Sequence, residues 1–92
     1  MIILLTGMLY GASIIPNPSS ADALLKLPSS LDSKSLQLRV IDMAGKELER
    51  RIIASSTGWT KLNASGYASG TYLIEIVSGE QLVAHERWIV NH

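Results

Sequence analysis

Short runs of apolar residues, separated by turn residues, make up most of the chain after residue 11. In residues 36–40 three aliphatic side chains alternate with Gln and Arg, and residues 71–76 alternate in a similar way. Successive side chains of a strand point to opposite faces, so this pattern predicts strands with one buried face. No ten-residue stretch of this region has a clear helical period. The pattern therefore predicts a chain of short strands.

Turn residues separate these runs at intervals of roughly 8 to 12 residues, a spacing typical of antiparallel sandwiches. Two prolines and an asparagine at 16–18 end the first run and exclude a central strand position there. Residues 42–46 (DMAGK) predict a hairpin turn, because Asp bonds nearby backbone and Gly adopts positive φ. The predicted strands are residues 13–15, 23–27, 36–40, 48–54, 59–62, 72–76 and 82–90, with loops at 28–35, 55–58 and 63–70. We therefore expect an all-β fold, an immunoglobulin-like antiparallel β-sandwich of about seven strands.

At the start of the chain, residues 1–10 are apolar and uncharged. A bilayer-spanning helix needs about 20 apolar residues, so this stretch predicts no transmembrane span. A signal peptide is an alternative interpretation, but a basic start is missing and Tyr10 stands where a small residue should precede cleavage. We favour sequence added in cloning, a truncated reading frame or the last strand of a preceding domain. Residues 1–12 are therefore assigned to an apolar leader or upstream segment, and residues 13–92 to one sandwich domain.

The composition is that of one folded domain without a charge bias. Its 92 residues are enough for one core, and 47% of them are hydrophobic against 17% charged, the reverse of a disordered chain. Eight basic and eight acidic residues give a formal net charge of zero, which disfavours binding to nucleic acid or to anionic membranes. The absence of cysteine excludes disulfides, a thiolate nucleophile and cysteine-based zinc sites.

Candidate catalytic residues are few. His85 is the only histidine away from the chain end, and no G-x-S-x-G motif accompanies it, so a hydrolase triad is not predicted. Glu75 and Glu86 fall on strands that we expect to pair, but exposed carboxylates beside arginines explain them better than glycosidase chemistry. The aspartates at ten-residue intervals match no calcium-binding loop; they are Asp22, Asp32 and Asp42. The sequence therefore predicts no enzyme, no metal site and no cofactor.

The aromatic residues support one alternative function, an immunoglobulin-like or fibronectin-like accessory module that binds carbohydrate or a neighbouring domain. Tyr72 and Trp88 share the parity of the aliphatic residues in their strands, so we expect both to be buried. Only Trp59 and Tyr67 then remain for a binding face. Their exposure together on one flat face would favour this alternative.

Three segments, in this order, resemble the type A C-terminal sorting domain of the type IX, or Por, secretion system. Residues 14–20 (IIPNPSS) resemble its opening motif, residues 38–48 (LRVIDMAGKEL) its central hairpin, and residues 68–90 its closing hairpin. The motif residues are Pro16, Asn17, Pro18, Asp42, Gly45, Lys46, Gly70, Tyr72, Arg87, Trp88, Ile89 and Val90. Departures from the family pattern keep apolar bulk: Ile15 and Ile41 replace aromatic residues, and Trp88 stands where Phe is commoner.

This resemblance implies a non-catalytic sorting signal at the end of a secreted or surface protein of Bacteroidota. The implied partners are the covalently attached N-terminal cargo, the type IX machinery of the outer membrane and its sortase-like peptidase. The cargo would pass through the periplasm to the cell surface or the medium, and the peptidase would remove the domain and could anchor the cargo. By the same resemblance, cleavage falls upstream of Pro16, in or before Gly11, Ala12 and Ser13.

The last predicted strand is a candidate for recognition by strand addition, in which main-chain bonds supply affinity. Its final residues combine the charge of Arg87 with the apolar side chains of Trp88, Ile89 and Val90. We therefore expect an open edge on this strand and a free chain end at His92.

Overall fold

The computed structural model describes residues 10–27, 36–53 and 58–92. The predicted loop at 28–35, most of the loop at 55–58 and nearly all of the apolar stretch at 1–10 lie outside this part of the chain. No helix in the described part is long and apolar enough to cross a membrane. Its elements are β1 (Tyr10–Gly11), β2 (Ser13–Ile15), β3 (Asp22–Lys26), β4 (Leu36–Asp42), β5 (Glu47–Ile53), β6 (Trp59–Asn63), a 3₁₀ turn (Ala64–Gly66), β7 (Gly70–Ser78) and β8 (Gln81–Val90).

The strands form two sheets, with the order β1-β8-β7-β4-β5 in one and β2-β3-β6 in the other. Among the strands from β2 through β8, each pair of neighbours within a sheet is antiparallel. The predicted all-β antiparallel sandwich is therefore confirmed. Strand β1 is an addition that the pattern did not predict; it pairs in parallel with β8, opposite Ala84 and His85. Two residues are too short to show an alternation, which explains why the pattern missed it.

The core lies between the two sheets and is built from alternate residues of each strand. In β4 the burial alternates along Leu36, Leu38 and Val40, as the sequence predicts. Removing each such side chain from water contributes about 1.5–3 kcal/mol. The remaining buried hydrophobic residues are Ile14, Ala23, Leu25, Leu27, Ile53, Leu62, Ala64, Tyr72, Ile74, Ile76, Ala84, Trp88 and Val90.

Strand β8 alternates poorly in sequence because its pairing with β7 shifts register between Ile76 and Val77. Ile76 pairs with Ala84 and Val77 pairs with Leu82, so one residue of β8 is left over as a bulge. Beyond the bulge, Ala84, Trp88 and Val90 are buried in the core. The bulge therefore sets which side chains of the closing strand enter the core.

Candidate functional site

The opening motif lies against the closing strand, although some 70 residues separate them in the sequence. The side-chain amide of Asn17 donates from Nδ2 to the carbonyl oxygen of Arg87 at 2.9 Å. The Oδ1 atom of the same side chain accepts from the backbone N–H of Ile89, also at 2.9 Å. One side chain thus bonds the donor and the acceptor of a strand edge, as a neighbouring strand would. We call residues 16–19 together the clasp.

Ser19 continues this contact at the buried end of the clasp. Its backbone N–H donates to the carbonyl of Ile89, and its own carbonyl accepts from the N–H of Asn91, both at 2.8 Å. Its hydroxyl donates to the carbonyl of Pro16 at 2.5 Å and accepts from the indole N–H of Trp88 at 2.9 Å. Ser19 is fully buried with all of these groups satisfied. The sequence analysis did not single it out; its only signal is a small residue after Pro-Asn-Pro.

Two prolines frame the amide of the clasp. Pro16 and Pro18 are exposed, and the peptide bonds that precede them are both cis. Neither ring nitrogen carries a hydrogen, so neither proline has a backbone donor to satisfy. The backbone bends at these residues directly after β2, as the sequence predicts.

The central motif forms the turn between β4 and β5. The Oδ1 atom of Asp42 accepts from the backbone N–H groups of Ala44 and Lys46, each at 2.9 Å. The N–H of Gly45 donates to the carbonyl of Asp42 at 3.0 Å, and Gly45 has a φ of 89°, which favours glycine. The predicted hairpin turn is confirmed. The carboxylate is used for turn geometry, while the side chain of Lys46 is exposed.

The closing motif contributes its aromatic residues to the core. Tyr72 and Trp88 are 7% and 0% exposed, so both are buried as predicted. Tyr67 completes a cluster, its ring centroid 5.2 Å from that of Tyr72 and 5.3 Å from that of Trp88. The Tyr72 hydroxyl donates to the carbonyl of Ala68 at 2.6 Å. Gly70 begins β7 and pairs with a residue of β8 rather than forming a left-handed turn.

Tyr67 is unsuited to a flat aromatic binding face because it packs against the core. Burial, together with its hydrogen bond to the carboxylate of Glu49, raises the pKa of its hydroxyl. Trp59, by contrast, is 40% exposed on β6. The feature that would favour an aromatic binding module, both side chains on one flat surface, is therefore missing from the described residues.

The expected open edge of the last strand is wrong. One edge of β8 pairs with β7, and the other is occupied by β1 at Ala84 and His85 and by the clasp farther along. The chain end is also held, since His92 donates from its backbone to Ser69 Oγ at 3.0 Å and from Nε2 to a carbonyl at 2.8 Å. Sequence alone could not show that segments far away along the chain cover this edge.

The last four motif residues differ in their surroundings. Trp88 and Val90 are buried in the core, 0% and 2% exposed, and cannot serve as surface anchors. Ile89 is half-buried, and Arg87 is exposed on the opposite face of β8. Only part of the predicted recognition group therefore reaches solvent.

The candidate carboxylates do not meet. Glu75 pairs with His85 in the β7–β8 register and Glu86 pairs with Ile74, so the two glutamates belong to opposite faces of the sheet. Glu75 instead accepts a hydrogen bond from Arg39 at 2.7 Å. Within the described residues, no group of three or more His, Asp or Glu side chains could hold a metal ion.

Arg39 also belongs to an ion-pair network on the outer face of β4 and β5. Glu47 lies 2.8 Å from both Arg39 and Arg50. Hydrogen bonds from Arg50 and Arg39 lower the pKa of Glu47 from its ordinary value of 4.5 to about 2. The carboxylate therefore stays charged in the folded domain at a pH where it would be protonated in the unfolded chain.

Glu47→Gln should destabilise the domain in a pH-dependent way. A lowered folded-state pKa contributes stability that is complete above pH 4.5 and is lost as the pH falls toward 2. The stability difference between wild type and variant should therefore shrink across that window, measured by denaturant unfolding at a series of pH values. Glu80→Gln, in the exposed β7–β8 turn, is the matched control. A difference for Glu47→Gln that stays constant down to pH 2 would contradict this role.

A comparison with protein families gives one match. The family described as secretion system C-terminal sorting domain matches residues 13–91. No curated protein matches the chain. The matched residues include both the clasp and β8, the closing strand to which the clasp is hydrogen-bonded. The chain therefore belongs to the C-terminal sorting domains of the type IX secretion system.

Proposed function

We propose that this domain carries an N-terminal cargo through the periplasm and across the outer membrane, and that a sortase-like peptidase then removes it. Family membership supports the sorting role of the domain. The observation that carries the proposal is the clasp, because Asn17 joins the opening motif directly to the backbone of the closing strand. A receptor that recognises this fold meets both motifs as parts of one rigid unit. The proposed role requires binding, not catalysis.

The position of Ala12 supports cleavage within Gly11, Ala12 and Ser13. Strand β1 belongs to one sheet and β2 to the other, so the chain passes between sheets at Ala12. The first buried core residue after it is Ile14. A cut in this short segment would detach β1 with the cargo and leave the core of the sandwich complete. Ala12 packs partly against the core, so the segment has to leave the surface before a peptidase can reach it.

Removal of the domain would leave the cargo with a new C-terminus at the outer surface. Joining that end to a surface lipopolysaccharide would anchor the cargo, and hydrolysis would release it. Both outcomes use the same peptide bond, since a sortase-like peptidase transfers the acyl group either to an amine or to water.

The test is export of a reporter. The full chain, residues 1–92, is fused behind a signal peptide and a fluorescent protein in a bacterium with a type IX system and in its secretion mutant. We expect fluorescence outside the outer membrane only in the competent strain, and retention of a reporter that lacks the domain. Periplasmic retention of the folded fusion in the competent strain would contradict the sorting role.

The same cells test the cleavage site. Mass spectrometry of the exported reporter should find a C-terminus in or before residues 11–13, attached to an anchor on the cell or free in the medium. A mature reporter that ends within the sandwich would contradict the proposed cleavage position.

A further inference from the structure

The outer face of the sheet β2-β3-β6 carries a group of exposed apolar side chains. Ile15 is 57% exposed, Leu24 is 45% exposed and Trp59 is 40% exposed. Ile15 and Leu24 lie directly opposite each other in the β2–β3 register. Trp59 lies opposite Lys26, which is two residues from Leu24 and on the same face. These three apolar residues therefore form one surface, which we call the apolar patch.

The core does not account for the apolar character of this patch. In β3 the inward positions are Ala23 and Leu25, which are 2% and 0% exposed. Leu24 points to the other face, where its neighbours along the strand are the charged residues Asp22 and Lys26. A polar β-former at position 24 would satisfy the strand equally well. Single exposed apolar residues are ordinary, whereas contiguous exposed apolar surface is a feature of interaction sites.

Two lysines flank the apolar patch. Lys26 places its Nζ atom 5.6 Å from the centroid of the Trp59 ring. Lys61 lies opposite Leu24 and pairs with Asp22, at 3.1 Å between Nζ and Oδ2. Counted over the described residues of this face, the net charge around the apolar centre is about one positive unit. Lipid surfaces recruit proteins through clusters of roughly four to eight basic residues, so this charge is too small for a membrane site.

We infer that the apolar patch is the docking surface for a protein segment that presents aliphatic side chains next to carboxylates. The aliphatic groups would pack on Ile15, Leu24 and the Trp59 ring, and a carboxylate would bind the ammonium of Lys26. Trp, like Tyr and Arg, is enriched among the dominant contacts of protein interfaces. The inference rests on the proposed function, since the segment then belongs to the machinery that recognises the domain. Ile15 immediately precedes the clasp, so docking here is continuous with the family motif.

The test uses the full-length reporter fusion with two patch variants. The double variant Ile15→Thr/Leu24→Thr removes apolar surface and places a strand-favouring β-branched residue at both positions, and Lys26→Glu reverses the charge. We expect each to weaken recognition roughly tenfold, which corresponds to about 1.4 kcal/mol of binding free energy, and so to lower the exported fraction. The matched controls are Ile52→Thr, at a residue 74% exposed on β5 in the other sheet, and Gln81→Glu, at an exposed residue at the start of β8. Both controls should be exported like wild type.

Wild-type and variant fusions give different results for a failure of the proposed function and for a failure of the docking surface. If the wild-type fusion is retained, the proposed function fails and the inference with it. If wild type is exported and both patch variants are exported equally well, the docking surface alone is overturned. Thermal unfolding of each purified variant shows whether it folds. If the double variant does not fold, the export of the Lys26→Glu variant alone tests the docking surface. A photoreactive residue at position 24 should cross-link a protein segment with acidic and aliphatic residues, whereas cross-linking to lipid alone would overturn the inference.

Discussion

Trp88→Ala should lower the free energy of unfolding by about 3–5 kcal/mol. The indole is fully buried, lies within 5.3 Å and 5.9 Å of two tyrosine rings and donates to the Ser19 hydroxyl. Alanine would leave a cavity and remove the partner of that hydroxyl. A domain of this size has about 5–15 kcal/mol of stability in total, so the variant should lose a large part of it. Denaturant unfolding followed by circular dichroism measures the change.

The second tryptophan supplies the control for this prediction. Trp59 is 40% exposed, so Trp59→Ala should lower the free energy of unfolding by only about 1 kcal/mol or less, because surface substitutions have small effects on stability. Equal losses in the two variants would contradict the central position that we assign to Trp88.

Asn17→Ala should lower the free energy of unfolding by about 2 kcal/mol, because two hydrogen bonds of about 1 kcal/mol each are lost. The side chain bonds the carbonyl of Arg87 and the N–H of Ile89, and alanine can bond neither. The backbone amide of Ile89 should therefore exchange with solvent faster in the variant. Denaturant unfolding gives the free-energy change, and amide hydrogen exchange followed by NMR locates it.

Asn91→Ala is the matched control for the clasp. Asn91 is exposed at the end of the chain, and only its backbone N–H bonds the clasp, through the carbonyl of Ser19. Its side chain can be removed without loss of that bond. If Asn17→Ala leaves both the stability and the exchange of the Ile89 amide at wild-type values, the amide of Asn17 does not hold the closing strand in solution.

The structure divides the family motif residues into two groups. Asn17, Asp42, Tyr72 and Trp88 bond or pack within the domain and account for its shape. The side chains of Lys46 and Arg87 are exposed, so we interpret them as not required for folding. Most of the shared motif therefore encodes a stable sandwich. A receptor can contact only exposed residues. In our proposal these are the residues of the apolar patch, two of which, Leu24 and Trp59, lie outside the motif.

Local patterns were sufficient to predict the strands and the central turn. The alternation along β4 and the hydrogen bonds from the backbone N–H groups of residues 44 and 46 to the Asp42 carboxylate depend on neighbours within a few residues. Both can therefore be predicted from the sequence. Strand ends moved by one or two residues, as at β7, which runs Gly70–Ser78 rather than over residues 72–76. The motif order was likewise sufficient to identify the family.

Other features were decided only by the tertiary structure. The clasp joins Asn17 and Ser19 to the closing strand across some 70 residues, and β1 joins the same strand from the start of the described chain. Such pairings leave no periodic signal, because each involves only one or two residues on the incoming segment. They also closed the edge that the sequence suggested was open. Alternation tells which side chains share a face, but only the packing of distant segments determines which edges and faces remain exposed.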